Sequence, residues 1–137
     1  MNAADANEYI GRPWVSGGRG PDAFDCWGLL RWVQARHFGT ELPDIPDEAA
    51  ATRALYHAQI SSGAWRVLSR PAHGSGVLLR DGDRPHVGVY LGLDGGGVLH
   101  ALDGVGVIFT LRSQLRSVGY PRVTWYEFIP RNDCPRG

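Results

Sequence analysis

Three side chains in this sequence have the types and setting for nucleophilic catalysis: Cys26, His86 and His100. A thiol becomes a useful nucleophile when its pKa falls, and both the positive end of a helix and a neighbouring imidazole lower it. Cys26 stands in "PDAFDCWGLL", behind Asp25, a good N-cap residue, and ahead of Leu29, Leu30 and Val33 at helical spacing. Gly39 supplies the stop. The spacing therefore predicts a helix that opens on the cysteine.

His86 heads "HVGVYLG" and His100 lies near the end of "GVLHAL", two stretches that read as antiparallel strands. Their register decides whether the imidazoles meet. A three-residue loop of Leu93, Asp94 and Gly95, with glycine left-handed, sets Gly88 opposite His100 and His86 opposite Leu102. The histidines then share one face as diagonal neighbours, about 7 to 8 Å apart. A two-residue loop would send them to opposite faces. In the first case His86 can take the thiol proton and return it to a leaving amine, while His100 holds the second ring nitrogen in the right tautomer. The backbone N–H of Cys26 is then a natural oxyanion donor.

Blander readings compete with each of these. Free cysteines are among the most buried residues, and Cys26 shares a helical stripe with Leu29, Leu30 and Val33. Spacing alone favours a core thiol; the two histidines and the glycine-rich approach reverse that preference. Asp25 reads first as a helix cap and second as a residue near a bound substrate. His37, His57 and His73 read as surface or packing residues, and Cys134, in a polar tail, as idle. Arg12 and Arg19 read as solvated charges that could also meet a substrate carboxylate. Trp14, Trp27 and Trp32 could line a groove for a peptide or glycan, or dock another protein. Zinc held by Cys26, His86 and His100 is chemically possible, but the helix-start cysteine and the lack of a carboxylate helper favour thiol catalysis, so the expectation is no metal and no cofactor.

The elements that must position these residues read as α+β, with N-terminal helices packed on an antiparallel sheet. "ELPDIP" is a connector and "DEAAATRALYHAQI" a second helix. From Gly76 the period turns towards two: "GVLLR", "HVGVYLG", "GVLHAL" and "VGVIF" are separated by turn signals and form a meander. "TLRSQL" reads as a short helix and "RVTWYEFI" as the last strand, with tails at 1–7 and 131–137 around a core of about residues 8–130. The 137 residues suggest one domain. Fourteen basic and fourteen acidic side chains cancel, so charge points to neither nucleic acid nor an anionic membrane. No basic leader or membrane-length apolar run is present, so the chain is expected to be made in a cytoplasm and to have no membrane partner. Two cysteines are too few for a disulfide scaffold.

At these residues the sequence resembles the NlpC/P60 superfamily of papain-like cysteine peptidases. The family pattern "G-x-P-Y-x-x-G-G…P…F-D-C-S-G-L", then "H-V-G-I-Y-L-G", then a polar residue in the next strand, is matched in order by "IGRPWVSGGRGPDAFDCWGLL", "HVGVYLG" and "VLHAL". The matches cover residues 10–33 and 86–101. The resemblance implies Cys26 as nucleophile, His86 as base and His100 as third residue, in a papain-like fold acting on peptide bonds of bacterial peptidoglycan stems. Trp14 stands where the family has an oxyanion-hole tyrosine, and Trp27 where it has a serine that holds substrate. "FDCWGL" in a compact chain looks most like the subgroup from tailed bacteriophages, which implies synthesis in a bacterial cytoplasm, tail-tip or hub proteins as partners, a place in the virion tail, and local wall digestion during genome delivery. The alternative is a structural tail-tip or tail-assembly protein of weak or no activity, kept open by Trp14 and Trp27. An acyltransferase resembling the lecithin:retinol acyltransferase branch would need lipid access, which no stretch supports.

Overall fold

Two helices and six strands make up the computed structural model, which describes residues 1–42, 65–81 and 84–128. Helix α1 is Ala3–Tyr9 and α2 is Cys26–Phe38; the strands are β1 (Trp65–Leu68), β2 (Gly76–Asp81), β3 (Arg84–Leu91), β4 (Gly97–Leu102), β5 (Gly106–Leu111) and β6 (Arg122–Phe128). They form one antiparallel sheet in the order β1-β6-β2-β3-β4-β5. The α+β expectation holds. The helix expected at 47–60, His57, Cys134 and the C-terminal tail lie outside the described residues.

Helix α2 begins and ends where its sequence predicts. The Asp25 carboxylate accepts the Gly28 N–H at 2.7 Å, and Gly39 closes the helix in the left-handed region at φ 68°. Such a cap contributes about 1 kcal/mol. Residues 1–7, expected as a tail, instead lead into α1. Asn2 and Asp5 form a reciprocal capping box, each side chain 2.9 Å from the other's backbone N–H, which fixes the first turn locally. Ala6 and Tyr9 then join the core, and the Tyr9 hydroxyl accepts the Trp32 indole N–H while lying 2.8 Å from His37 Nε2.

The period-two reading of the strands sorts their residues into two cores. Leu78, Val87, Val89, Leu91, Leu99, Ala101 and Tyr126 face the helices with Leu29, Leu30 and Val33. Their neighbours Val77, Leu79, Tyr90, Val98 and Trp125 face the other way, joined by Leu115 and flanked by Tyr120 from the segment after β5. That segment corrects the expected helix at 110–115. Thr110 and Leu111 still pair with β4, and only Arg112–Gln114 make a turn of 3-10 helix. Strand β1 went unread because four residues carry too little alternation to declare themselves.

The seat of α2 is set by backbone contact. A Cβ on Gly28 would overlap the Gly18 carbonyl oxygen, the same oxygen that accepts the Asp25 N–H at 3.1 Å. Helix start and glycine-rich approach therefore touch main chain to main chain. Gly28→Ala is expected to cost about 2 to 4 kcal/mol through overpacking that no rotamer can relieve. Urea unfolding checks it, and an unchanged midpoint would refute this account of the helix seat.

Candidate active site

The β3–β4 hairpin has the register that its loop chemistry predicts. Val89 faces Leu99, Tyr90 faces Val98 and Leu91 faces Gly97. Continued along both strands, this register sets Gly88 beside His100. The turn carries positive φ at Asp94 (53°), Gly95 (88°) and Gly96 (104°), rather than at Gly95 alone, and the face assignment is the same. His86 and His100 meet: His86 Nε2 lies 2.8 Å from His100 Nδ1, with the rings nearly perpendicular at 73°. Gly88 makes the room, since a Cβ there would come within 2.8 Å of the Leu99 carbonyl and 3.0 Å of His100 Cβ.

Pairing between β3 and β4 stops at Val89↔Leu99, although β3 begins at Arg84 and β4 runs on to Leu102. The registered ladder ends beside the histidines, with Gly88 still in close approach to Leu99 and His100. The Val87 N–H, with those of Trp27 and of Cys26 itself, acts on the Cys26 thiol. Thus the first residue of α2 sits against β3 next to His86 in sequence.

Burial dominates the electrostatics here. It pushes the Cys26 thiol up to about 11, against the pull of the Val87 N–H and with a further push from the Asp25 carboxylate. It draws His86 down to about 3, helped by His100, and His100 down to about 4. Near neutral pH the resting site is a thiol beside two neutral imidazoles. Cys26 and His86 each keep some exposed surface, which is where a substrate would reach them.

Two residues outside the expected set complete the surroundings. His100 Nε2 lies 2.9 Å from Thr110 Oγ1, with both residues buried. The Tyr120 ring stacks on His86 at 5.6 Å and 12° and meets His100 edge-on at 84°. Thr110 was findable, because the "DG" turn at 103–104 sets His100 opposite Ile108 and Thr110 one step along on the same face. Nothing local signals Tyr120, which arrives through the course of the 112–121 segment.

The expected substrate contacts fare differently. Trp27 is corrected: it is 1% exposed and stacks on Trp65 at 5.8 Å, so it offers a substrate no surface. Asp25 is corrected as well, being buried and committed to the N–H groups of Gly28 and Gly17 and to the Arg19 guanidinium at 2.9 Å. Trp14 is half-exposed and packs against the helix-side core, its backbone bridged to Phe24 two residues before Cys26. Arg12 bonds to the Glu8 and Pro21 carbonyls and lies over the Tyr9 ring. His73 lies 2.9 Å from the Met1 carbonyl and accepts the Gly92 N–H at 3.0 Å. Neither set of contacts includes Cys26, His86 or His100. Zinc fits poorly, because His86 Nε2 and His100 Nδ1 face each other and His100 Nε2 is taken by Thr110; among the described residues no His, Cys, Asp and Glu cluster has a metal-holding arrangement. Nor is any described helix long and apolar enough to cross a membrane.

The chain also resembles known proteins. Residues 11–124 match the NlpC/P60 family. The chain is 31% identical over 94 residues to Protein P54 of Enterococcus faecium, a match covering 54% of this chain and 18% of that one. It is 31% identical over 90 residues to the probable endopeptidase p60 of Listeria innocua, covering 65% of this chain and 17% of the relative. The chain therefore spans less than a fifth of the length of these relatives. The crystal structure of the NlpC/p60 domain of the peptidoglycan hydrolase SagA superposes with a TM-score of 0.60 at 27% identity, covering 89% of this chain and 92% of that domain. By the extent of the family match and by its fold, the chain belongs to the NlpC/P60 family.

Proposed function

We propose that the chain is a cysteine hydrolase that cuts peptide bonds in bacterial peptidoglycan stems, with Cys26 as nucleophile, His86 as general base and acid, and His100 as the residue that orients His86. The observation that carries the reading is the hydrogen-bonded His86–His100 pair, with the helix-start Cys26 set against Val87, the neighbour of His86. Since His86 Nε2 is committed to His100, Nδ1 is the nitrogen left for the thiol proton. Relatives described as a probable endopeptidase and a peptidoglycan hydrolase point to the same substrate class.

The steps balance on these groups. Sγ attacks the scissile carbonyl carbon as its proton passes to His86 Nδ1, and the helix-start N–H of Cys26 stabilises the developing oxyanion. The C–N bond then breaks as His86 protonates the leaving amine. Water attacks the thioester and gives a proton to His86, and that proton returns to sulfur as the acid leaves. Trp14 takes the place of a second oxyanion donor, through its indole N–H. The proposed setting is a phage tail tip, in contact with hub proteins and carried in the virion, on the resemblance of "FDCWGL" to phage-associated members.

Two outcomes test the reading. Mass spectrometry of purified peptidoglycan fragments should show stem cleavage by the wild-type protein, reduced about a thousandfold or more by Cys26→Ala and by His86→Ala. Wild-type protein that is folded yet leaves the fragments intact would favour the inactive structural alternative. The neutral resting pair makes a second prediction. With the thiol raised to about 11, alkylation of Cys26 by iodoacetamide should climb about tenfold per pH unit between pH 7 and 10, as the thiolate fraction does below its pKa. A plateau between pH 5 and 8 would instead reveal a preformed thiolate–imidazolium pair.

A further inference from the structure

We infer that Thr110 is a positioning residue that fixes the tautomers of both histidines by accepting a hydrogen bond at the end of their chain. The inference rests on the proposed roles of Cys26 and His86. His86, His100 and Thr110 lie on one face of β3, β4 and β5, each one diagonal step from the next. They are linked at 2.8 and 2.9 Å. None of the described groups extends the chain beyond Thr110.

A chain of two imidazoles and a hydroxyl has two polarities. In the first, His86 Nε2–H donates to His100 Nδ1 and His100 Nε2–H donates to Thr110 Oγ1, leaving a lone pair on His86 Nδ1. In the second, the Thr110 hydroxyl donates to His100 Nε2 and His100 Nδ1–H donates to His86 Nε2, leaving a proton on His86 Nδ1. Only the first yields a base. Once His86 has taken the thiol proton, both its nitrogens are donors, so His100 Nδ1 must accept and His100 Nε2–H must have an acceptor of its own. In a buried site an unpaired N–H is costly.

Thr110 meets that need in a way neither imidazole can. A hydroxyl has two lone pairs and one rotatable proton, so it can turn its proton away and accept the His100 Nε2–H without moving a heavy atom. The Thr110 Oγ1 is buried with its residue at 7% exposure, and His100 is fully enclosed, so water cannot easily substitute. The chain therefore ends on the one group that can stabilise the charged state of His86 without carrying charge itself. His100 alone, lacking this acceptor, could adopt the polarity that disables the base.

The test compares Thr110→Val, which keeps the shape and removes the acceptor, with Thr110→Ser, which keeps the acceptor; Thr110→Ala is a second acceptor-free variant should the valine protein misfold. Long-range proton–nitrogen NMR of the His86 and His100 rings is the primary readout and needs no substrate. Wild type and Thr110→Ser should show His86 protonated on Nε2 alone, and the acceptor-free variants a mixture of tautomers. In turnover on peptidoglycan fragments, Thr110→Val should lower kcat about 10- to 100-fold with KM little changed, and Thr110→Ser should restore it. An acceptor-free variant with wild-type tautomers, or with wild-type kcat, overturns the inference. Absence of turnover in the wild type would instead count against the proposed function, while the NMR comparison still decides the role of Thr110.

Discussion

The site depends on where the start of α2 meets β3. Cys26 sits against Val87, whose N–H acts on its thiol, one residue from His86 in sequence, so the end of the helix must be held firmly against the sheet. Gly18 and Gly28 in backbone contact, with the Asp25 carboxylate joining the Gly17 and Gly28 N–H groups and Arg19, provide the placement. The same carboxylate raises the pKa of the thiol beside it, so the cap that places the nucleophile also opposes its ionisation.

Such a site holds no charge at rest. Burial that draws His86 to about 3 and pushes Cys26 to about 11 makes a standing thiolate–imidazolium pair unfavourable, because desolvated charges are costly even when paired. In the proposed reaction, charge separation is then confined to the moment of attack, when the helix-start N–H groups face the oxyanion and sulfur and the His100–Thr110 chain supports the imidazolium. Preorganised dipoles of this kind stabilise a developing charge without having to reorient. The Tyr120 ring stacked on His86 covers one face of the imidazole and helps keep water from competing for its protons.

Local chemistry made part of this legible. The cap at Asp25, the left-handed Gly39 and the apolar spacing of Leu29, Leu30 and Val33 each act within a few residues, and α2 follows from them. The "LDGG" turn fixed the β3–β4 register, and with it the meeting of His86 and His100. The setting of Cys26 against Val87 was not legible, since it depends on how α2 packs on the sheet. Helix α1 was written in Asn2 and Asp5 but lay in a stretch read as a tail. Tyr120 and β1 owe their places to long-range packing, which no local pattern encodes.

Trp27 bears on the inactive alternative, because it replaces a serine that the family uses near substrate. Its side chain does not face the cleft. It stacks on Trp65, whose ring meets Phe128 edge-on at 4.7 Å and Tyr126 at 5.9 Å, so it ties the start of α2 to β1 and β6 at the far edge of the sheet. Its backbone N–H meanwhile stays directed at the Cys26 sulfur. Trp27 thus anchors the start of α2, and in the proposed reading it takes no reacting group away. Of the two tryptophans that weigh against activity, only Trp14 stands where a catalytic donor is at stake, and its indole N–H belongs to a half-exposed ring free of the core's full enclosure. Under the proposed reading, the case for a silent scaffold therefore narrows to the reach of one side chain.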